Sequence, residues 1–260
     1  MVKLRLAAMV VALPMAGLGA PVSAAEEADS AHTFTANVGL VSDYRFRGIS
    51  QTYEDPAIQG GFDYSHASGL YLGTWASNVS GNQYTGGNSM EWDLYGGYRL
   101  GLGEVTLDVG LLFYWYPSAR YVGSGEKYDT LEAYAAATWK WLTAKYSYTL
   151  TDYFGVNDST YGAIGSGDSE GSGYAELNAS YPLIEKLSLV GHIGHQSVSG
   201  YGDLDYTDWK LGLTYDFSGF LLGAAWVDTD ADDALYSVGG AKGIRELGDS
   251  TVVLSVSRSF

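Results

Sequence analysis

Cysteine is absent from the 260-residue sequence. That excludes disulfide frameworks, thiol nucleophiles and thiolate metal sites. Basic residues are few: 14 Lys and Arg stand against 30 Asp and Glu, for a formal charge of -16. A nucleic-acid binder needs a basic surface, so this balance excludes nucleic acid as a partner. Long hydrophobic runs are missing too. After residue 24 no apolar stretch approaches the roughly 20 residues of a membrane helix, the longest being Val109 to Tyr116. A helical membrane protein is therefore excluded. A transmembrane β-barrel is not, because its apolar residues occupy only alternate positions.

The chain opens with Lys3 and Arg5, followed by an apolar run from Leu6 to Leu18 broken by Pro14, then Val22-Ser23-Ala24. This is the layout of a secretory signal peptide, over residues 1–24, with the cut between Ala24 and Ala25. Its removal takes away two positive charges and no acids, moving the formal charge from -16 to -18. Residues 25–32 follow as a short periplasmic segment, and residues 33–260 form the folded unit.

That unit is rich in glycine and tyrosine, 35 and 22 residues in the whole chain, with only 5 prolines. Twelve segments alternate apolar and polar residues with a period of two, the signature of strands with one apolar face. They are Thr33–Arg47, Ala57–Ser65, Gly69–Asn78, Ser89–Tyr98, Val105–Tyr116, Thr130–Trp139, Leu142–Tyr153, Tyr174–Tyr181, Leu187–Gln196, Asp208–Asp216, Phe220–Asp228 and Thr251–Phe260. Parity is ambiguous in two of them. Leu70 and Leu72 compete with Tyr71 and Trp75, and the segment from Phe220 is apolar on both faces, with Phe220, Leu222, Ala224 and Trp226 taken as outward.

The links alternate short and long, the long ones rich in Gly, Ser, Asp and Asn. Even strand number with short turns at one end and long loops at the other predicts an all-β fold: a transmembrane antiparallel β-barrel of about 12 strands, with short periplasmic turns and long extracellular loops. Aromatic residues cluster toward both ends of the strands, as the girdles of such a barrel do. Tyr98, Trp139, Trp141, Tyr181, Phe217, Phe220 and Phe260 lie at the short-turn end; Tyr44, Phe46, Trp92, Trp115, Trp209 and Trp226 lie at the other.

The runs Tyr44-Arg45-Phe46-Arg47-Gly48-Ile49-Ser50-Gln51-Thr52 and Gly69 to Val79 resemble the TorF-family porins of proteobacteria. So do Glu91 to Tyr98, Tyr114-Trp115-Tyr116-Pro117 and Asp208-Trp209-Lys210-Leu211-Gly212, and the resemblance runs from Phe34 to Phe260. It implies an outer-membrane barrel with a porin role, and carries no catalytic or binding residues. The terminal Phe260 resembles the signal that the barrel-assembly machinery reads, although Arg258 stands where that pattern has an apolar or aromatic residue.

Candidate functional residues are those whose parity turns them into a polar lumen. These are Arg45, Arg47, Asp63, Glu91, Asp93, Tyr95, Tyr114, Glu132, Glu176, Asp208 and Lys210. All the charged ones are expected in the outer half, with Asp108 and Lys145 lower. A charged ring with excess acid implies a narrow channel for small hydrophilic solutes with modest cation preference. Two alternatives stand beside it. In a substrate-selective channel, Tyr95, Tyr114, Tyr116 and Tyr134 stack on a sugar or nucleobase. In a closed barrel, the same charges pair and the loops serve an anchoring or adhesive role.

No enzyme constellation is present. His32, His66, His192 and His195 have no marked Ser and Asp partners, and no glycine-rich loop is followed by Lys-Ser or Lys-Thr. Asp228, Asp230, Asp232 and Asp233 are spaced like the start of a calcium loop. Asp233 and Gly239 occupy the positions that need Gly and Glu. No cofactor or metal is therefore expected; the partners are membrane lipids, the assembly machinery and small solutes. Mass spectrometry of the exported protein should find a mature chain beginning at Ala25; a chain still carrying Met1 would reject the signal-peptide assignment.

Overall fold

The computed structural model describes residues 31–260, so the signal peptide and nearly all of the segment after it lie outside the described residues. Twelve antiparallel strands close into one barrel. They are β1 His32–Val41, β2 Ala57–His66, β3 Leu70–Asn78, β4 Met90–Leu102, β5 Val105–Trp115 and β6 Thr130–Trp139. Then come β7 Leu142–Thr149, β8 Gly173–Ile184, β9 Leu187–Ser197, β10 Tyr206–Phe217, β11 Phe220–Thr229 and β12 Thr251–Ser259. Each strand pairs with its sequence neighbours, and β12 returns to β1.

That last pairing removes the sheet's two free edges. Its register runs from Asn37 opposite Ser259 to Val41 opposite Ser255. Beyond it, Phe260 donates its N–H to the Ala36 carbonyl at 2.8 Å and accepts from the Ala36 N–H at 3.1 Å. In lipid an unpaired backbone N–H or C=O costs several kcal/mol, so closure is what lets this sheet cross a membrane.

The outer surface is apolar. Leu40, Ile58, Leu72, Leu94, Val109, Leu111, Leu211, Leu254 and many similar side chains are exposed. A continuous band of this kind would be an aggregation surface in water and is a lipid-facing surface here. Indole and phenol rings border it. Trp92 and Trp115 meet at 5.7 Å and Trp209 and Trp226 at 6.5 Å at the long-loop end; Trp141 and Tyr181 meet at 5.4 Å at the short-turn end.

The ambiguous parities resolve. In β3, Leu70 and Leu72 face lipid while Tyr71, Trp75 and Ser77 are buried inside. In β11, Phe220, Leu222 and Trp226 are exposed, and Ala225 and Val227 are buried. Most differences from the periodicity are strand ends. β4 continues to Leu102 and β8 to Ile184, where the ladder shifts register between Pro182 and Ile184. Glycine in the first continuation and proline in the second interrupt the alternation before the ladder ends.

One difference is larger. β1 ends at Val41, not at Arg47, and Ser42–Pro56 turns inward across the lumen. Tyr44 and Phe46 are therefore interior rings, not part of the girdle; Tyr44 is buried. Asp43 causes the turn: its carboxylate takes Arg45 Nε at 2.5 Å, Ser50 Oγ at 2.6 Å and Thr52 Oγ1 at 3.2 Å. Those bonds hold a small hairpin of Arg45–Phe46 against Ile49–Ser50.

Arg258 faces lipid at the short-turn end, its guanidinium 4.7 Å from the Phe220 ring centre and 5.4 Å from that of Phe260. A charge near the interface costs about 0–1 kcal/mol, against about 2–4 at the midplane. Leu254→Arg should therefore cut folding yield into lipid vesicles far more than Arg258→Leu. Equal yields would show that the register of β12 is misassigned.

Candidate functional site: a loop folded into the lumen

The inward loop is anchored by charge. Arg47 Nη2 donates to both Glu132 oxygens at 2.8 Å, and Nη1 donates to Gln196 Oε1 at 2.8 Å. Its guanidinium also lies 4.3 Å from the Tyr174 ring centre. The loop is thus tied to β6, β8 and β9, on the far side of the lumen from β1. Arg45 reaches the last long loop, donating through Nη1 to the carbonyls of Leu247 at 2.8 Å and Asp249 at 2.9 Å. Gly48 sits at the tip with φ of 81°. A Cβ there would lie 2.3 Å from Thr229 Cγ2 and 2.7 Å from Asp208 Cβ, so only glycine lets the tip press on the wall.

Aromatic rings fill the space beneath and beside the loop. Tyr44 packs edge-on against Trp75 at 5.5 Å, and Phe46 packs edge-on against Tyr114 at 5.5 Å and Phe154 at 5.7 Å. Tyr44 donates to Glu91 Oε1 at 3.2 Å and Tyr114 to Glu132 Oε2 at 3.3 Å. Burial first, and then the nearby Glu91 carboxylate, hold the phenols of Tyr84 and Tyr116 well above their ordinary pKa, so both remain neutral.

The structure places the sequence-predicted residues in three groups. Arg45, Arg47, Glu91, Asp93, Tyr114 and Glu132 are buried at the loop. Arg45 and Arg47 arrive there on the inward loop and not on a barrel strand. Glu176, Asp208 and Lys210 lie on the opposite wall with Lys145 and His192. There Lys145 is 3.4 Å from Glu176, His192 Nε2 is 2.9 Å from Asp208, and Tyr174 donates to Asp208 at 2.7 Å. Asp63 is the exception to the expected outer-half position. It lies toward the short-turn end of β2, where Tyr95 donates to it at 2.6 Å. Near it Tyr71 and Arg99 both bond Asp108, at 2.5 and 2.9 Å.

Two of the acids lack full compensation. Glu91 Oε2 and both oxygens of Asp93 are buried with no hydrogen-bond partner. Sequence reasoning missed Asp43, Phe46, Tyr174, His192 and Gln196 as members of this cluster. One signal was available. The loop from Ser42 to Pro56 carries aromatic, arginine and amide side chains where an exposed loop carries Gly, Ser and Asp.

Of the four aspartates at the start of the last long loop, three accept backbone N–H groups, Asp228 from its neighbour Thr229. Asp230 takes the Thr207 N–H and Asp232 the Ala234 N–H, while Asp233 gathers with Glu246 and Asp249 on the exposed surface.

Among the described residues, two internal spaces lie at the inward loop. One of about 100 Å3 lies in the lumen between the inward loop and the wall of Lys145, Glu176, His192, Asp208 and Lys210. The other, of about 190 Å3, lies among the long loops. Phe46 lines both.

A closed twelve-stranded transmembrane barrel with a loop crossing its lumen is a porin-like fold. Solved structures agree. The KdgM porin has TM-score 0.52 and 6% identity over 87% of this chain and 99% of its own. The KdgM porin in complex with disordered oligogalacturonate has TM-score 0.51 and 7% identity, over 88% and 99%. Residues 25–260 match a family described as "Bacterial protein of unknown function (Gcw_chp)", and the chain belongs to that family. No curated protein matches the sequence.

Two stability outcomes follow from the buried charges. Arg47→Met should cost about 3–5 kcal/mol, because it leaves Glu132 buried and unpaired, and the double variant Arg47→Met/Glu132→Leu should recover most of that. Asp93→Asn should be neutral or stabilising, since it removes an uncompensated charge. Urea unfolding in lipid vesicles, followed by tryptophan fluorescence, measures both; a destabilised Asp93→Asn would mean its carboxylate is needed.

Proposed function

We propose that this protein is a bacterial outer-membrane channel for small hydrophilic solutes, held narrow by its first long loop. The observation that carries the reading is the pair of spaces in series, one at the long-loop end and one in the lumen, divided by Phe46. A closely packed plug would tend to fill such spaces. The resemblance to TorF-family porins and the KdgM-like fold support the same reading. In this orientation the long loops face outward, the short turns face the periplasm, and Phe260 is presented to the assembly machinery.

Selectivity comes from two places. The long loops are acidic, with Asp152, Asp158, Asp168, Asp203, Asp205, Asp230 and Asp233 among them, and they draw cations to the mouth. The lumenal space is lined by Arg45, Arg47, Lys145 and Lys210 against Asp43, Glu176 and Asp208, and Glu132 behind it offsets Arg47, which leaves the charges nearly balanced. Glu91 and Asp93 are buried and do not line that space. The resulting cation preference is therefore modest.

Planar-bilayer recording tests this. The purified protein should give small unitary conductance steps with a weakly cation-selective reversal potential. Gly48→Val should enlarge them by pushing the loop off the wall. Absence of steps from well-folded protein and from the Gly48→Val variant would instead indicate a closed barrel.

A further inference from the structure

The space among the long loops has the chemistry of a binding site. We propose that it captures one neutral sugar ring before the solute passes Phe46, an inference that rests on the channel reading. None of the residues lining it is charged. A charged solute would lose its hydration there without compensation, which excludes ions as the occupant. The walls are aromatic faces, and the volume of about 190 Å3 suits one ring, not a peptide.

Those rings are fixed in place before any solute arrives. Tyr121 donates to the Phe154 carbonyl at 3.0 Å and Tyr236 to the Leu204 carbonyl at 2.7 Å. Tyr121 and Tyr128 stack at 4.1 Å. With the hydroxyls of Tyr121, Tyr128 and Tyr236 occupied by backbone carbonyls, these residues offer the space their ring faces. A sugar presents apolar C–H faces to aromatic rings and hydroxyl donors at its edge.

An amide oxygen is open to such a donor. Gln83 lines the space, and its Oε1 is buried with no hydrogen-bond partner. A buried amide oxygen without a partner is costly, and a solute hydroxyl would satisfy it. Gln51, the other amide on the wall, already accepts from Tyr84. The site thus pairs preset aromatic faces with one vacant acceptor, at the position a solute meets before the loop.

The test uses the full protein in detergent and in bilayers, with D-glucose, D-galactose, uridine and citrate as probes. Calorimetry should show saturable binding of a sugar and none of citrate, and the same sugar should reduce single-channel current. Gln83→Leu should weaken both roughly tenfold, as loss of a bond to a buried acceptor does. Leu235→Trp, which fills the space without removing a polar group, should abolish both. Neither variant should lower the unfolding midpoint, and Gln83→Leu, which removes an unpartnered buried oxygen, should hold or raise it.

Conductance without sugar binding would overturn the site and leave the channel standing. Sugar binding without conductance would keep the site and reject the channel. Binding of uridine but of neither sugar would overturn the sugar assignment. Sugar binding unchanged in Leu235→Trp would place the sugar elsewhere and overturn the proposal.

Discussion

Every backbone N–H and C=O that enters lipid must find a partner within the protein. The whole architecture follows from that constraint. Alternating residues can only be used as a sheet, and a sheet can only be used closed. The return of Thr251–Ser259 to His32–Val41 is therefore the contact on which the other eleven pairings depend. It also explains the chain's composition. Apolar side chains are needed on one face only, so a protein with an extensive lipid-facing surface has a mean hydropathy of just -0.05.

The interior obeys a different balance. Excluding lipid leaves the lumen to water, or to whatever the chain folds into it. Here the chain folds in its own first loop, and the loop's tight turn is organised by Asp43. Arg47 crosses the lumen to meet Glu132 and Gln196, so a single guanidinium links the loop to the far wall. The same movement buries Glu91 and Asp93 without a counter-charge of their own. A loop held by one strong ion pair over uncompensated acids is firmly placed but not maximally stable. That combination suits a constriction better than a permanent stopper.

The long loops add a second layer. They are packed structures, with a capped helical turn at Asp158–Tyr161 and a hairpin of Ser237–Gly240 against Gly243–Glu246. Their apolar and aromatic side chains form clusters of their own around Tyr201 and Tyr206. In the proposed channel, solutes approaching the lumen would meet an acidic outer surface, then an uncharged aromatic space, then the mixed charges beyond Phe46. Charge attracts at long range and ring faces discriminate at short range, which is a sensible order for a selective entrance.

By itself, the sequence determined the fold class, the number of strands, the inward or outward direction of most side chains and the two-ended distribution of aromatics. All of these follow from the period of two and from loop lengths, which are local properties that a linear pattern records directly. Glu91, Asp93, Glu132 and Asp208 were legible as interior residues for that reason. Only the tertiary structure decided where β1 stops and what the next residues do. Alternation from Tyr44 to Arg47 continues that of β1, so periodicity extends the strand to Arg47. Arg47 meets a carboxylate far away in sequence, and Arg45 meets carbonyls more remote still. Such contacts depend on which strands lie across the lumen from one another. That arrangement exists only after the barrel has closed, because the distance across the lumen is set by the closed sheet and by nothing in the order of residues along it.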